Sequence, residues 1–168
     1  MLSDQEQISN NLKSLHMPTI RRSYEEVAGQ ARADSWSYEQ YLLELLNLEC
    51  DVRLQNRIHR NLSISRLPLS KTFENFDKKR LPAKVANHLN VLVNGSFLSR
   101  SENILAFGNP GSGKTHLLCA IGHALIECGK KVLFITCGQL VQDLLIAKRE
   151  LEITKKLKKL SKFDAVII

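Results

Sequence analysis

The sequence predicts an α/β protein: a parallel sheet with crossover helices, preceded by a small all-helical domain. Three observations carry this. Residues 1–62 hold three helical hydrophobic patterns, parted by Pro18 and by Asp34-Ser35. From residue 103 onward, short apolar runs alternate with helical patterns, the spacing of parallel strands joined by right-handed crossovers. Between the first such run and its helix stands Gly108-Asn109-Pro110-Gly111-Ser112-Gly113-Lys114-Thr115. It has the G-x-x-x-x-G-K-T form of a phosphate-binding loop.

Each element has a local reason. Ser3-x-x-Glu6 is a capping box that opens a first helix bearing Ile8, Leu12 and Leu15. Pro18 is expected to end it. A second helix places Ile20, Tyr24, Val27, Ala28 and Ala31 on one face, up to the Asp34-Ser35 break. Ser37-x-x-Gln40 is another capping box, with Trp36 placed to staple onto Tyr41. The third helix is long. Tyr41, Leu42, Leu45, Leu46, Leu48 and Val52 begin its apolar surface, and Leu54, Ile58 and Leu62 continue it. The helical domain is expected over residues 1–66.

Arg53, Arg57 and Arg60 recur at i, i+4 and i+7 on that helix, apart from the apolar face. The planar guanidinium fork suits phosphate. Glu49, one turn before Arg53, offers intrahelical pairing instead. Arg57 and Arg60 have no acid at i−4 and are the better candidates for contact with DNA.

Residues 67–80 read as a connector, because Pro68 and mixed polarity argue against a regular element. Phe73 and Phe76 are expected to anchor it to the second domain, with an adenine pocket as the alternative. That domain is expected over 81–168. Pro82 fits the first position of a helix carrying Val85, Leu89 and Leu92 and closed by Gly95. Asn103–Phe107 suits a buried strand. After the loop, Leu117, Leu118, Ala120, Ile121, Ala124, Leu125 and Ile126 give a helix with a wide apolar face. Gly129 stands at its C′ position. Val132–Thr136 reads as a second strand, Gln139 to about Leu160 as one helix, and Phe163–Ile168 as a third strand. The basic end of that helix, Lys155, Lys156, Lys158 and Lys159, suits the helix dipole and is also a candidate for DNA contact.

The loop residues suit triphosphate chemistry. Glycines let the backbone come close to phosphate oxygens and turn its amides inward. A helix starting at about Gly113 aims its positive end at the same oxygens. Lys114 reaches the β- and γ-phosphates, and the Thr115 hydroxyl binds Mg²⁺.

Composition bounds the rest. The 168 residues are 43% hydrophobic, with mean hydropathy −0.17, the profile of a soluble globular protein. No apolar run approaches the roughly 20 residues of a membrane span, so no membrane partner is expected. The first residues lack the basic and apolar regions of a signal peptide, and a cytoplasmic location is expected. Cys50, Cys119, Cys128 and Cys137 form no C-x-x-C pair, and three are expected to be buried. His116 and His123 lie seven apart on one helix, without the further ligands of a metal site. The net charge of +7 is uneven. Residues 1–52 carry 4 Lys/Arg against 9 Asp/Glu, residues 53–84 carry 9 against 2, and residues 148–162 carry 7 against 2. Concentrated positive charge points to a polyanion, most simply double-stranded DNA.

The loop with Thr115-His116-Leu117 resembles the AAA+ ATPase branch that holds DnaA, DnaC and IstB. Further stretches are most similar to IstB. They are Ser37–Leu42 with Leu45-Leu46-x-x-Glu49, Lys71–Asp77, Gly129–Phe134, Leu140-Val141-x-x-Leu144-Leu145-x-Ala147-Lys148-Arg149, and Phe163–Ile168. The resemblance implies an ATP-dependent, DNA-binding helper of insertion-sequence transposition that forms homo-oligomers and serves a transposase. It implies an AAA+ fold truncated here after its third strand, with ATP and Mg²⁺ held at Gly108–Thr115 and His116 counted with that site. In the family the strand beginning near Asp164 leads into paired acids that hold Mg²⁺ and polarise water. A sensor residue and an arginine come later still, and all of these fall after Ile168. This chain accordingly resembles the N-terminal part of such a protein. A further family strand inserts between the strand before the loop and the Phe163–Ile168 strand, so an open slot is expected there. The alternatives are a DnaC-like helicase loader and a non-catalytic interaction remnant; a small-molecule kinase would start nearer its loop.

Overall fold

The computed structural model describes residues 3–77 and 81–168. Lys78, Lys79 and Arg80, part of the basic connector, lie outside the described residues. The chain divides into two compact units, Met1–Arg57 and Ile58–Ile168. The division falls inside a helix, whereas the sequence places its boundary after residue 66.

The described elements of the first unit are helices: α1 (Asp4–Ser14), α2 (Pro18–Ala33) and α3 (Tyr38–Ser65) as far as Arg57. Both capping boxes form. The Ser3 amide donates to Glu6 Oε2 at 2.8 Å, and the Glu6 amide returns to Ser3 Oγ at 3.3 Å. Ser37 and Gln40 do the same at 2.8 and 3.2 Å. Pro18 does not end α1; it opens α2. The stop is a Schellman motif: His16 takes φ 54°, and the Met17 amide reaches back to Leu12 O at 2.9 Å. Asp34-Ser35 ends α2 the same way, with Ser35 at φ 54° and Trp36 N on Ala31 O. The core of this unit is Ile20, Val27 and Leu45, packed by Leu12, Met17, Tyr24, Trp36, Tyr41 and Leu48.

The second unit is mostly helical around a short parallel sheet. It holds the last turns of α3, then α4 (Ala83–Val93), α5 (Ser96–Ser99), α6 (Lys114–Glu127), β1 (Val132–Phe134), α7 (Cys137–Arg149), α8 (Ile153–Leu160) and β2 (Ala165–Ile167). Pro82 caps α4 from just outside it rather than occupying its first position. The strands pair in parallel, Val132 with Ala165 through Phe134 with Ile167. Asp164 brackets the entry to this ladder: its Oδ2 accepts the Lys131 amide at 2.7 Å and its own amide donates to Lys131 O at 2.8 Å. The core comprises Leu67, Phe97, Cys119, Ile121, Leu125, Ile126 and Val132, with Ile58, Leu62 and Phe73 against it. Ile58 and Leu62 pack there, which is why the end of α3 joins this unit. The Asn61 amide group, buried, donates to Lys130 O at 3.0 Å beyond the end of α6.

Three expectations are corrected. Asn103–Phe107 is not a strand: it runs without a ladder, leaving Leu105 76% and Phe107 87% exposed. A strand exists only by pairing, and a cleft of about 820 Å³ separates Asn103–Leu105 from Asp164–Ile168. The sheet therefore has two strands among the described residues, not three; in place of the expected slot between two strands, an open cleft borders β2. Second, the helix drawn from Gln139 to Leu160 breaks into α7 and α8. Leu151 sits at φ 59°, its amide on Lys148 O at 3.2 Å and the Glu152 amide on Ala147 O at 2.7 Å. That is a Schellman stop built on a leucine, which periodicity alone does not reveal. Third, only Cys119 is buried; Cys50, Cys128 and Cys137 are exposed. Burial pushes the Cys119 thiol up.

Candidate functional site

Residues 108–113 form a largely exposed loop leading into α6. Gly113 is the N-cap of α6 at φ 87°, and Gly111 sits at φ 76°. A side chain at either position would be strained. Gly113 has no side chain with which to cap α6, which suits the amides of its first turn to an anion. Lys114 Nζ donates to Gly108 O and Asn109 O, both at 2.9 Å. The ammonium thus closes the loop upon itself, held by neutral carbonyls that a phosphate outcompetes as a partner. Thr115 is exposed in the first turn of the helix. These residues fit a polyphosphate: a cation, uncapped amides and backbone without Cβ atoms converge within eight residues. No cluster of three or more His, Cys, Asp or Glu able to hold a metal exists among the described residues. A cation at the loop would rest on Thr115 and on the phosphate itself.

His116 is turned to the connector, with Nε2 3.0 Å from Thr72 O. Its ring meets Phe76 edge-on, centroids 5.1 Å apart at 70°. The Phe76 ring also lies 3.4 Å from where a Cβ on Gly113 would stand. Further along α6, His123 Nε2 is 3.1 Å from Pro68 O. Phe73 anchors in the core, as expected of both phenylalanines, while Phe76 reaches the loop. The seven-residue spacing of the histidines is visible in the sequence; their carbonyl partners are not, because backbone acceptors leave no mark in side-chain pattern.

The basic residues fare differently from one another. Arg53 is engaged inside its own unit: Nε donates to Glu49 Oε1 at 2.8 Å, and the guanidinium also reaches His16 O. Arg57 and Arg60 are exposed. On α8, Lys155 pairs with Glu152 at 2.8 Å and Lys156 with Asp143. The Lys155 hydrogen bond holds the Glu152 carboxyl below its usual range and raises Lys155 in turn. Lys156, then Gln139, does the same for Asp143. Lys158 and Lys159 are exposed, and with Lys155 and Lys162 they line a surface cleft of about 630 Å³ beside Leu151.

Comparison with known proteins gives a consistent result. The family model described as "IstB-like ATP binding protein" matches residues 10–168. A protein of Sinorhizobium fredii, named for ATP binding in an insertion sequence, is 38% identical over 166 residues, which is 98% of this chain and 56% of that protein. One named for ATP binding in insertion sequence IS5376 of Geobacillus stearothermophilus is 35% identical, over 97% of this chain and 65% of its own length. Another, named for insertion sequence IS232 of Bacillus thuringiensis, is 31% identical over all of this chain and 67% of its own. The chain thus spans somewhat over half to two thirds of the length of these relatives.

Proposed function

The chain belongs to the IstB-like ATP-binding protein family, and from that membership we propose that it binds ATP with Mg²⁺ at Gly108–Thr115 in support of insertion-sequence transposition. The observation that carries this is the loop itself: a lysine held by carbonyls beside an uncapped helix start. When bound, Mg²⁺ neutralises charge on the β- and γ-phosphate oxygens. The chain's own residues do the holding. Lys114 would exchange its two carbonyl partners for phosphate oxygens, the loop amides would donate to them, and Thr115 would supply a hydroxyl ligand for the metal. The AAA+ type of the fold is part of this proposal. So are duplex DNA binding through exposed basic residues, homo-oligomer formation, action alongside a transposase, and a cytoplasmic setting. The basic blocks at 53–84 and 148–162 support the DNA contact, and the relatives' names support the insertion-sequence setting.

The test is Lys114→Ala. Removing the charge-assisted hydrogen bonds of the ammonium is expected to weaken ATP binding about 10- to 100-fold by calorimetry. Equal affinity of the two proteins would remove the assignment.

A further inference from the structure

We propose that His116 is a positioning residue that latches the connector, residues 67–77, onto the loop helix, so that nucleotide binding and connector order form one coupled equilibrium. The proposal rests on the loop being the nucleotide site.

The connector is laid along α6 by two matched contacts. A carbonyl can only accept, so His123 and His116 must each donate from Nε2, to Pro68 O at 3.1 Å and to Thr72 O at 3.0 Å. Seven helical residues rise about 10.5 Å, and four residues of chain reach at most about 14 Å. The connector therefore runs against the helix direction, from its middle toward its N-terminus, with a turn on the way that the Lys71 amide closes on Pro68 O at 3.1 Å. There Asn75 closes a turn by donating to Ser70 O at 3.1 Å, and Phe73 enters the core. Phe76 then meets the His116 ring edge-on and stands 3.4 Å from where a Cβ on Gly113 would project. Gly113 is the residue whose left-handed conformation starts the helix and aims its amides. A displacement of that backbone toward the connector would meet the Phe76 ring. Conversely, releasing the connector frees the backbone at the point where it must be held in place. Linkage makes the effect mutual: whatever the connector adds to nucleotide affinity, nucleotide adds to connector order.

The histidines have separable roles. His123 holds the connector two turns away from the loop, and its loss costs packing. His116 joins the connector to the loop.

Hydrogen exchange by mass spectrometry on the whole chain, with and without Mg²⁺-ATP, reads the coupling, and calorimetry reads the affinity. In the unmodified protein, ATP is expected to slow exchange across residues 70–77. In His116→Ala that slowing disappears, and affinity falls about three- to tenfold, the range of one hydrogen bond. His116→Gln, whose amide N–H can serve the same carbonyl, restores both. His123→Ala melts earlier but keeps the ATP-dependent slowing. Undiminished affinity and slowing in His116→Ala would overturn the latch, as would equal loss in His123→Ala. Failure of the unmodified chain to bind ATP would show instead that the loop reading is wrong, and the latch would fall with it.

Discussion

Glu49 is only 4% exposed, yet it is a carboxylate on a helix facing two others. Met17, the N-cap of α2, has no capping side chain. Glu49 Oε2 supplies the cap from α3, accepting the Thr19 amide at 2.8 Å and the Ile20 amide at 3.2 Å. Its other oxygen takes Arg53. Burial pushes this carboxyl up, but Arg53 and the amides of Ile20 and Thr19 outweigh burial and hold it below its ordinary 4.5. Glu49→Gln, which loses the charge and one good acceptor, is expected to destabilise the helical unit by about 1–3 kcal/mol in thermal melts. Because the folded value is depressed, the stabilisation is present above the unfolded carboxylate range and is lost as pH falls through the folded value. The melting temperature should therefore drop below about pH 4 in the unmodified chain and drop less in the variant. A variant as stable as the parent at neutral pH would show the cap to be idle. The sequence shows Glu49 and Arg53 one turn apart. The cap on a helix thirty residues earlier is invisible in it.

Among the elements, the α7–α8 break decides how the lysines are used. In one continuous helix Lys155 could still pair with Glu152 one turn away, but Lys156 would stand about 20 Å along the axis from Asp143. The Leu151 turn starts a new helix whose Lys155 and Lys156 reach carboxylates at Glu152 and Asp143. Lys158 and Lys159 are left beside the basic cleft. If this helix carries the proposed DNA contact, Lys158→Ala with Lys159→Ala should weaken duplex binding and flatten the log–log salt slope by about 0.9 for each phosphate no longer neutralised. Arg57→Ala offers the comparison on α3. A slope unchanged in the α8 variant but reduced in the α3 variant would move the DNA-binding surface to that helix. The caps are legible only in part. Ser3-x-x-Glu6, Ser37-x-x-Gln40 and Gly129 announce themselves by residue type. His16, Ser35 and Leu151 take left-handed conformations that their side chains disfavour, and only the hydrogen bonds of each stop account for them.

On the scale of the molecule, the slot between Asn103–Leu105 and β2 is the dominant feature of the second unit. β2 uses one edge on β1, and among the described residues its other edge faces the 820 Å³ cleft. Unpaired backbone beside exposed Leu105, Phe107 and Val166 is a template for association. Light scattering on the 168-residue chain should show mass rising with concentration. Val166→Lys, placing charge on the open edge, should hold it nearer a monomer. A parent that stays monomeric at every concentration tested would mean the edge is not sticky.

By itself the sequence determined what depends on neighbours along the chain. That covers the glycine-rich loop and the helix following it, the two capping boxes, the glycine that ends α6, and a family resemblance carried by short motifs. These are set within one or two turns, where residue type dictates backbone angle and hydrogen bonding. The tertiary structure decided what depends on a distant partner. Asn103–Phe107 has the composition of a strand but no ladder to join. Phe76 has the composition of a core anchor but lies on the loop. Arg53 has the spacing of a phosphate ligand, and only the fold shows that it also bonds Glu49 and a backbone carbonyl. In most of these the deciding partner is tens of residues away, often a main-chain carbonyl or amide, and main-chain groups are the same at nearly every position of a sequence.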